Sequence, residues 1–172
     1  MISFLDTIIL VVICGFLFYG LFFGLIRTIG AFFGVLIGAV IASRFYLEIY
    51  SWISDFFFGR DSLGKIIVFI LLFSIINRIV GFGFYLIDRT YNLLTIIPFL
   101  KTINRLGGLI LGFVTGSLFV GVVLFVAVRY AFIENWLGQA LVNSKFSPLL
   151  IDFSGLLMPL LPEVLNKLKS LI

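Results

Sequence analysis

Apolar residues in this chain fall into four long runs, and charged residues collect between them. The runs are 7–26, 28–43, 66–87 and 106–128. A helix needs about 20 mostly apolar residues to cross a hydrocarbon core of roughly 30 Å. The pattern therefore predicts an all-α integral membrane protein with about four transmembrane helices.

The second run, 28–43, is close to the shortest length that crosses a bilayer. Either it crosses, with Arg27 and Arg44 reaching towards the headgroups, or it is re-entrant. Aromatic residues follow the run and favour a crossing, because such residues concentrate at membrane interfaces. The mixed aromatic and charged stretch 45–65 is expected to lie on the membrane surface. The stretch 90–104, which contains a proline, is expected to be an interfacial connection.

The tail, 130–172, contains Pro148, Pro159 and Pro162, which do not fit inside a fifth crossing helix. Its last part, 162–172, places apolar residues on one helical face and two lysines off it, as is typical of a short interfacial helix. We therefore expect one membrane domain over 1–172, with an interfacial tail.

The composition supports a lipid environment for most of the chain. Only 12% of its residues are charged and its mean hydropathy is +1.28, whereas soluble domains carry about 25% charged residues. The net charge of +4 comes from lysines and arginines near the ends of the apolar runs, where they anchor helices. The expected partner is the lipid bilayer, not nucleic acid. The lysine and arginine distribution favours both termini in the cytoplasm.

Two rows of glycines follow two arginines at matching spacing. Each of these arginines, Arg27 and Arg105, has glycines three, seven and eleven residues later. The glycines are Gly30, Gly34 and Gly38 in the second run, and Gly108, Gly112 and Gly116 in the fourth. Glycine at every fourth position forms a groove in which another helix packs closely. We predict these positions, together with Gly24, as helix-packing sites. Two tandem helix hairpins would explain the repeat, and coincidence in a glycine-rich chain is the alternative.

The third run has a polar pair near its centre, Asn77 and Arg78. A charged side chain at that depth costs at least about 2.5–3.5 kcal/mol unless it is paired or hydrated. Arg78 either lines a water-filled path or anion site, or is satisfied within the bundle by helix carbonyls, Asp6 or Asp88. Asp88 is ten residues away, about 15 Å along the same helix, and is therefore a poor partner.

Reactive residue types are scarce in the sequence. It contains no histidine and a single cysteine, Cys14, in the first apolar run. The usual general base and the commonest metal ligand are therefore missing, and no nucleophile motif is present. Only Asp6 and Asp88 border the runs as acids. We predict that the protein is not an enzyme and has no cofactor, metal site or identifiable small-molecule substrate.

Several short motifs occur in an order and spacing that resemble the CvpA family of colicin V production proteins. They are Asp6 before the first run, Gly24 to Arg27, Ala42-Ser43, Phe45-Tyr46, Arg105 with its glycine row, and the spaced pair Ser144 and Pro148. The chain departs from the family pattern at Thr28, where glutamate is frequent, and at Asn104, where aspartate is. Roles of those acids do not carry over.

The resemblance implies a multi-pass protein of the bacterial cytoplasmic (inner) membrane. It also implies a link to toxin (bacteriocin) production or export and to envelope homeostasis, with no reaction attached. Such a factor would act by packing with a second copy or with another membrane protein. The alternative is a subunit of a small oligomeric channel or transporter, with a path lined by Arg78 and Asn77. That alternative needs an oligomer, because four helices enclose little space.

Overall fold

The computed structural model describes residues 3–57, 61–91, 98–131 and 144–155. These residues are almost entirely α-helical. The helices are α1 (Phe4–Phe23), α2 (Leu25–Ile53), α3 (Asp61–Tyr91), α4 (Pro98–Ala131) and α5 (Ser147–Ser154), and a 3-10 helix, Ser54–Phe57, follows α2.

Within the described residues, four segments are long and apolar enough to cross a membrane. They are Phe4–Phe23, Leu25–Phe57, Asp61–Leu86 and Thr102–Val128. Each overlaps one of the apolar runs in the sequence. The predicted all-α membrane fold with about four transmembrane helices is confirmed.

The boundary between α1 and α2 is a single residue, Gly24. Its φ of 80° and ψ of −179° lie in a region that is essentially restricted to glycine. The N–H of Gly24 still donates to the carbonyl of Gly20 at 2.8 Å, and α2 begins directly afterwards. The first helix therefore ends at Phe23, before the end of the predicted run 7–26.

Helix α2 is longer than the second apolar run. It continues unbroken to Ile53, so residues 45–53, which were expected to lie on the membrane surface, continue the helix of the second apolar run. The sequence between Gly38 and Gly59 contains neither glycine nor proline. Tyr46 and Tyr50 are buried and extend the buried face of α2 at helical spacing. A helix of 29 residues is about 44 Å long, which exceeds the length needed for a crossing.

The expected connection 90–104 is also shorter than predicted. Pro98 is the first residue of α4, so residues 98–104 are helical and the prediction is wrong there. Proline is compatible with the first turn of a helix, because the N–H it lacks would have no partner within the helix.

Two helix pairs make up the bundle, with α1 packed on α4 and α2 packed on α3. Both pairs are antiparallel, because residues of increasing number on one helix face residues of decreasing number on the other. Contacts between α2 and α4 join the pairs. The core at this junction contains Val35, Ala39, Phe69, Phe73, Leu118 and Val122.

The short helix α5 packs against the α1–α4 pair. Leu150 of α5 is buried in a cluster with Ile9 and Ile13 of α1 and with Val120 and Leu124 of α4. This part of the predicted interfacial tail is therefore docked on the bundle. The amphipathic segment predicted for 162–172 lies outside the described residues.

Candidate functional site

The glycine row of α2 contacts α3. Gly30 faces Phe84, Gly34 faces Asn77 and Gly38 faces Phe73. A β-carbon at Gly34 would lie 2.8 Å from the backbone oxygen of Asn77, and one at Gly38 would lie 2.9 Å from Cδ2 of Phe73. These separations are shorter than real carbon contacts, so the row permits a closer approach than any larger residue would.

The glycine row of α4 contacts α1 in the same manner. Gly108 lies against the backbone of Gly20 and Gly24, and Gly112 and Gly116 lie against Phe16. A β-carbon at Gly108 would lie 2.7 Å from the backbone carbon of Gly24, and one at Gly116 would lie 2.8 Å from Cβ of Phe16.

Each glycine-bearing helix thus packs on a helix of the other predicted hairpin, and not on the helix that precedes it in its own hairpin. Helix α4 pairs with α1, and α2 pairs with α3. Both grooves are filled within one chain. A second copy or another protein would therefore have to bind a different surface.

Asp6 is fully buried at the start of α1, and its carboxylate accepts several hydrogen bonds. The hydroxyl of Ser144 donates to it at 2.6 Å, and the backbone N–H of Lys145 donates at 3.1 Å. The N–H of Ser3 donates to the second oxygen at 3.0 Å, which completes a capping box. We call this set of contacts the Asp6 clasp.

The Asp6 clasp excludes one of the interpretations of Arg78. Asp6 was a candidate partner for that arginine, but its carboxylate binds the segment before α5 instead, so this assignment is wrong. The side chain of Asp88, the other candidate, lies outside the described side chains.

Asn77 and Arg78 line a groove of about 520 Å³ between the helices. The polar side chains of the groove are Tyr19, Arg27, Ser74, Asn77, Arg78 and Tyr85. Phenylalanines from α1, α3 and α4 form much of the remaining wall. None of the described lining residues is acidic. We call this site the arginine groove.

The two arginines of the groove have different surroundings. The guanidinium of Arg27 lies 5.1 Å from the ring centre of Phe23 and 4.7 Å from that of Tyr85, within the range of cation–π attraction. Arg78 is exposed and forms no hydrogen bond, ion pair or ring contact with any described residue. The amide oxygen of Asn77 is buried and lacks a hydrogen-bond partner in the described part of the chain. The groove thus contains one charged group, Arg78, that the described bundle leaves unpaired, while the buried oxygen of Asn77 lies against Gly34 of α2.

Asn104 is a structural residue whose role the sequence did not indicate. Its side-chain oxygen accepts the N–H of Leu25 at 2.9 Å, so a residue of α4 caps the first turn of α2. The sequence marked Asn104 only as a departure from the family pattern. An N-cap normally precedes its own helix, so a cap supplied by a residue 79 positions away leaves no local signal.

These features define a small multi-pass membrane protein built from two antiparallel helix pairs, with a cationic groove between them. The family model described as Colicin V production protein matches residues 5–155. The chain belongs to this family, and the resemblance to CvpA is confirmed. Comparison with curated proteins gave no match, and neither did comparison with solved structures.

Proposed function

We propose that this protein supports bacteriocin production or export and envelope homeostasis from the bacterial cytoplasmic membrane. The observation that carries the proposal is the family match, which covers Asp6, Ser144, both glycine rows and the residues that line the arginine groove. In this role the protein acts by binding other membrane components, without moving a solute.

We further propose that the protein acts without catalysing a reaction. The charged groups of the arginine groove are Arg27 and Arg78, and a guanidinium has five N–H donors and no acceptor. It binds anions well but does not act as a general base. The groove is therefore better suited to binding than to proton transfer.

Deletion of the gene in a bacteriocin-producing host tests the role. We expect less toxin activity in the medium, and lower tolerance of detergents that challenge the envelope. Both should return with the wild-type gene and with Ile110→Ala, a change at a position that is 65% exposed on the outer face of α4. Unchanged toxin yield together with unchanged detergent tolerance would overturn the proposal.

A second candidate function is a subunit of an oligomeric channel or transporter. It is favoured by one observation: Asn77 and Arg78 line the same groove. The test is ion flux through the purified protein in liposomes, together with a count of subunits per particle. Flux that is abolished by Arg78→Leu supports this function, and flux no greater than that of empty liposomes rules against it.

A further inference from the structure

The arginine groove is about as long as one leaflet of a bilayer is thick. On α3 its lining extends from Ser74 to Tyr85, which is roughly 16 Å at 1.5 Å per residue. The hydrocarbon core is roughly twice as thick. On α1 the lining extends from Phe16 to Phe23, where that helix ends. The groove therefore reaches from the α1–α2 junction to about the middle of the bundle.

Positive charge is placed at two depths in this space. Arg27 follows the junction closely, whereas Arg78 is next to Asn77, which faces Gly34. Gly34 is seven residues beyond Arg27 on α2, so the two arginine backbones differ in depth by roughly 10 Å. The rings of Phe23 and Tyr85 contact the guanidinium of Arg27 and restrict its position.

The walls of the groove beside and beyond Arg78 are apolar and aromatic. Phe16, Phe82 and Phe119 line the groove, and Phe82 is 58% exposed. A ligand that satisfies both parts of the site must carry a negative charge and an apolar chain. It must also reach the site from within one leaflet.

We propose that the arginine groove binds an anionic phospholipid, with the phosphate between Arg27 and Arg78 and an acyl chain running deeper, past Phe16 and Phe119. A guanidinium forms paired, charge-assisted hydrogen bonds with phosphate oxygens, and this supplies the partner that Arg78 lacks among the described residues. Ser74 and Asn77 line the same region and add neutral hydrogen-bonding groups. The proposal goes beyond the role in toxin production and does not depend on it.

Retention of lipid by the purified full-length chain tests this binding. The protein in a neutral detergent is titrated with phosphatidylglycerol or with phosphatidylcholine of the same acyl chains, and bound lipid is counted by native mass spectrometry. We expect one retained phosphatidylglycerol and clearly weaker retention of phosphatidylcholine. Arg78→Gln should weaken phosphatidylglycerol binding by about tenfold, and Arg78→Lys by less, since it keeps the charge.

Matched controls separate the site from general attraction to charge and from misfolding. Arg44→Gln removes the same charge from an exposed position of α2 that does not line the groove, and should bind as the wild type does. Each variant is compared with the wild type by size-exclusion elution and thermal midpoint. The proposal is overturned by equal retention of the two lipids, by equal losses in Arg78→Gln and Arg44→Gln, or by full competition from inorganic phosphate, which would show that the acyl chain contributes nothing.

Discussion

At the scale of single residues, two long-range hydrogen-bonding positions organise the bundle. The Asp6 clasp joins the start of α1 to the segment before α5, and Asn104 joins α4 to the start of α2. Both side chains accept backbone N–H groups at or just before the start of another helix, where those groups lack partners within the helix. The sequence indicated the family positions Asp6 and Ser144 separately, but nothing in their spacing indicated that they meet.

Replacement of Asn104 tests the cap on α2. Asn104→Ala removes the acceptor for the N–H of Leu25 and should lower the unfolding free energy by about 1 kcal/mol, the usual cost of a lost N-cap. Asn104→Asp keeps an acceptor oxygen and should retain most of the stability. Unfolding in mixed detergent micelles measures both changes. Equal losses in the two variants would contradict the capping role.

Replacement of Asp6 tests the clasp. Asp6→Asn exchanges one carboxylate oxygen for a donor, which then faces hydroxyl and N–H donors, so the segment before α5 should detach. We expect faster proteolysis between α4 and α5 and a lower thermal midpoint. The matched control is Asp55→Asn, because Asp55 is exposed in the 3-10 helix. Equal proteolysis rates in wild type and Asp6→Asn would argue against the clasp.

At the scale of helices, the apolar runs predicted which segments form helices, because length and composition decide that in lipid. They did not predict the ends of α2, since its later turns carry charged residues on the exposed side and are held by buried tyrosines. They also did not predict the pairing of α1 with α4. A glycine row indicates that some helix packs closely but contains no information on which one.

The glycine rows lead to a prediction at this scale. Gly34→Leu and Gly112→Leu should separate α2 from α3 and α1 from α4, because each added side chain meets backbone atoms of the facing helix. We expect early elution on size exclusion and thermal aggregation at lower temperature. The controls are Ile37→Ala and Ile110→Ala, exposed positions on the same two helices. Wild-type behaviour of both leucine variants would mean that close packing is not required.

At the scale of the whole molecule, the number of crossings and the distribution of charge predict how the protein is oriented in the membrane. Four crossings place both termini on one side, and the lysine and arginine distribution favours the cytoplasm. Reporter fusions after Trp52 and Ile172 should report the cytoplasm, and a fusion after Pro98 the opposite side. The reverse pattern would mean an inverted orientation, and a shared side for Trp52 and Pro98 would mean that the second segment does not cross.

The pairing of α1 with α4 also determines when the protein can finish folding. Helix α1 is made first, yet its packing partner is α4, and Ser144, which donates to Asp6, lies 138 residues further along the chain. At a synthesis rate of about 5–20 residues per second, that interval is roughly 7–28 s. For most of it α1 lacks α4, which is complete only at Ala131, and for all of it the carboxylate of Asp6 lacks the Ser144 donor. In ribosome-bound chains that stop before Ser144, α1 should therefore remain in the insertion machinery. The bundle closes around α1 only after one of the last described segments has been made.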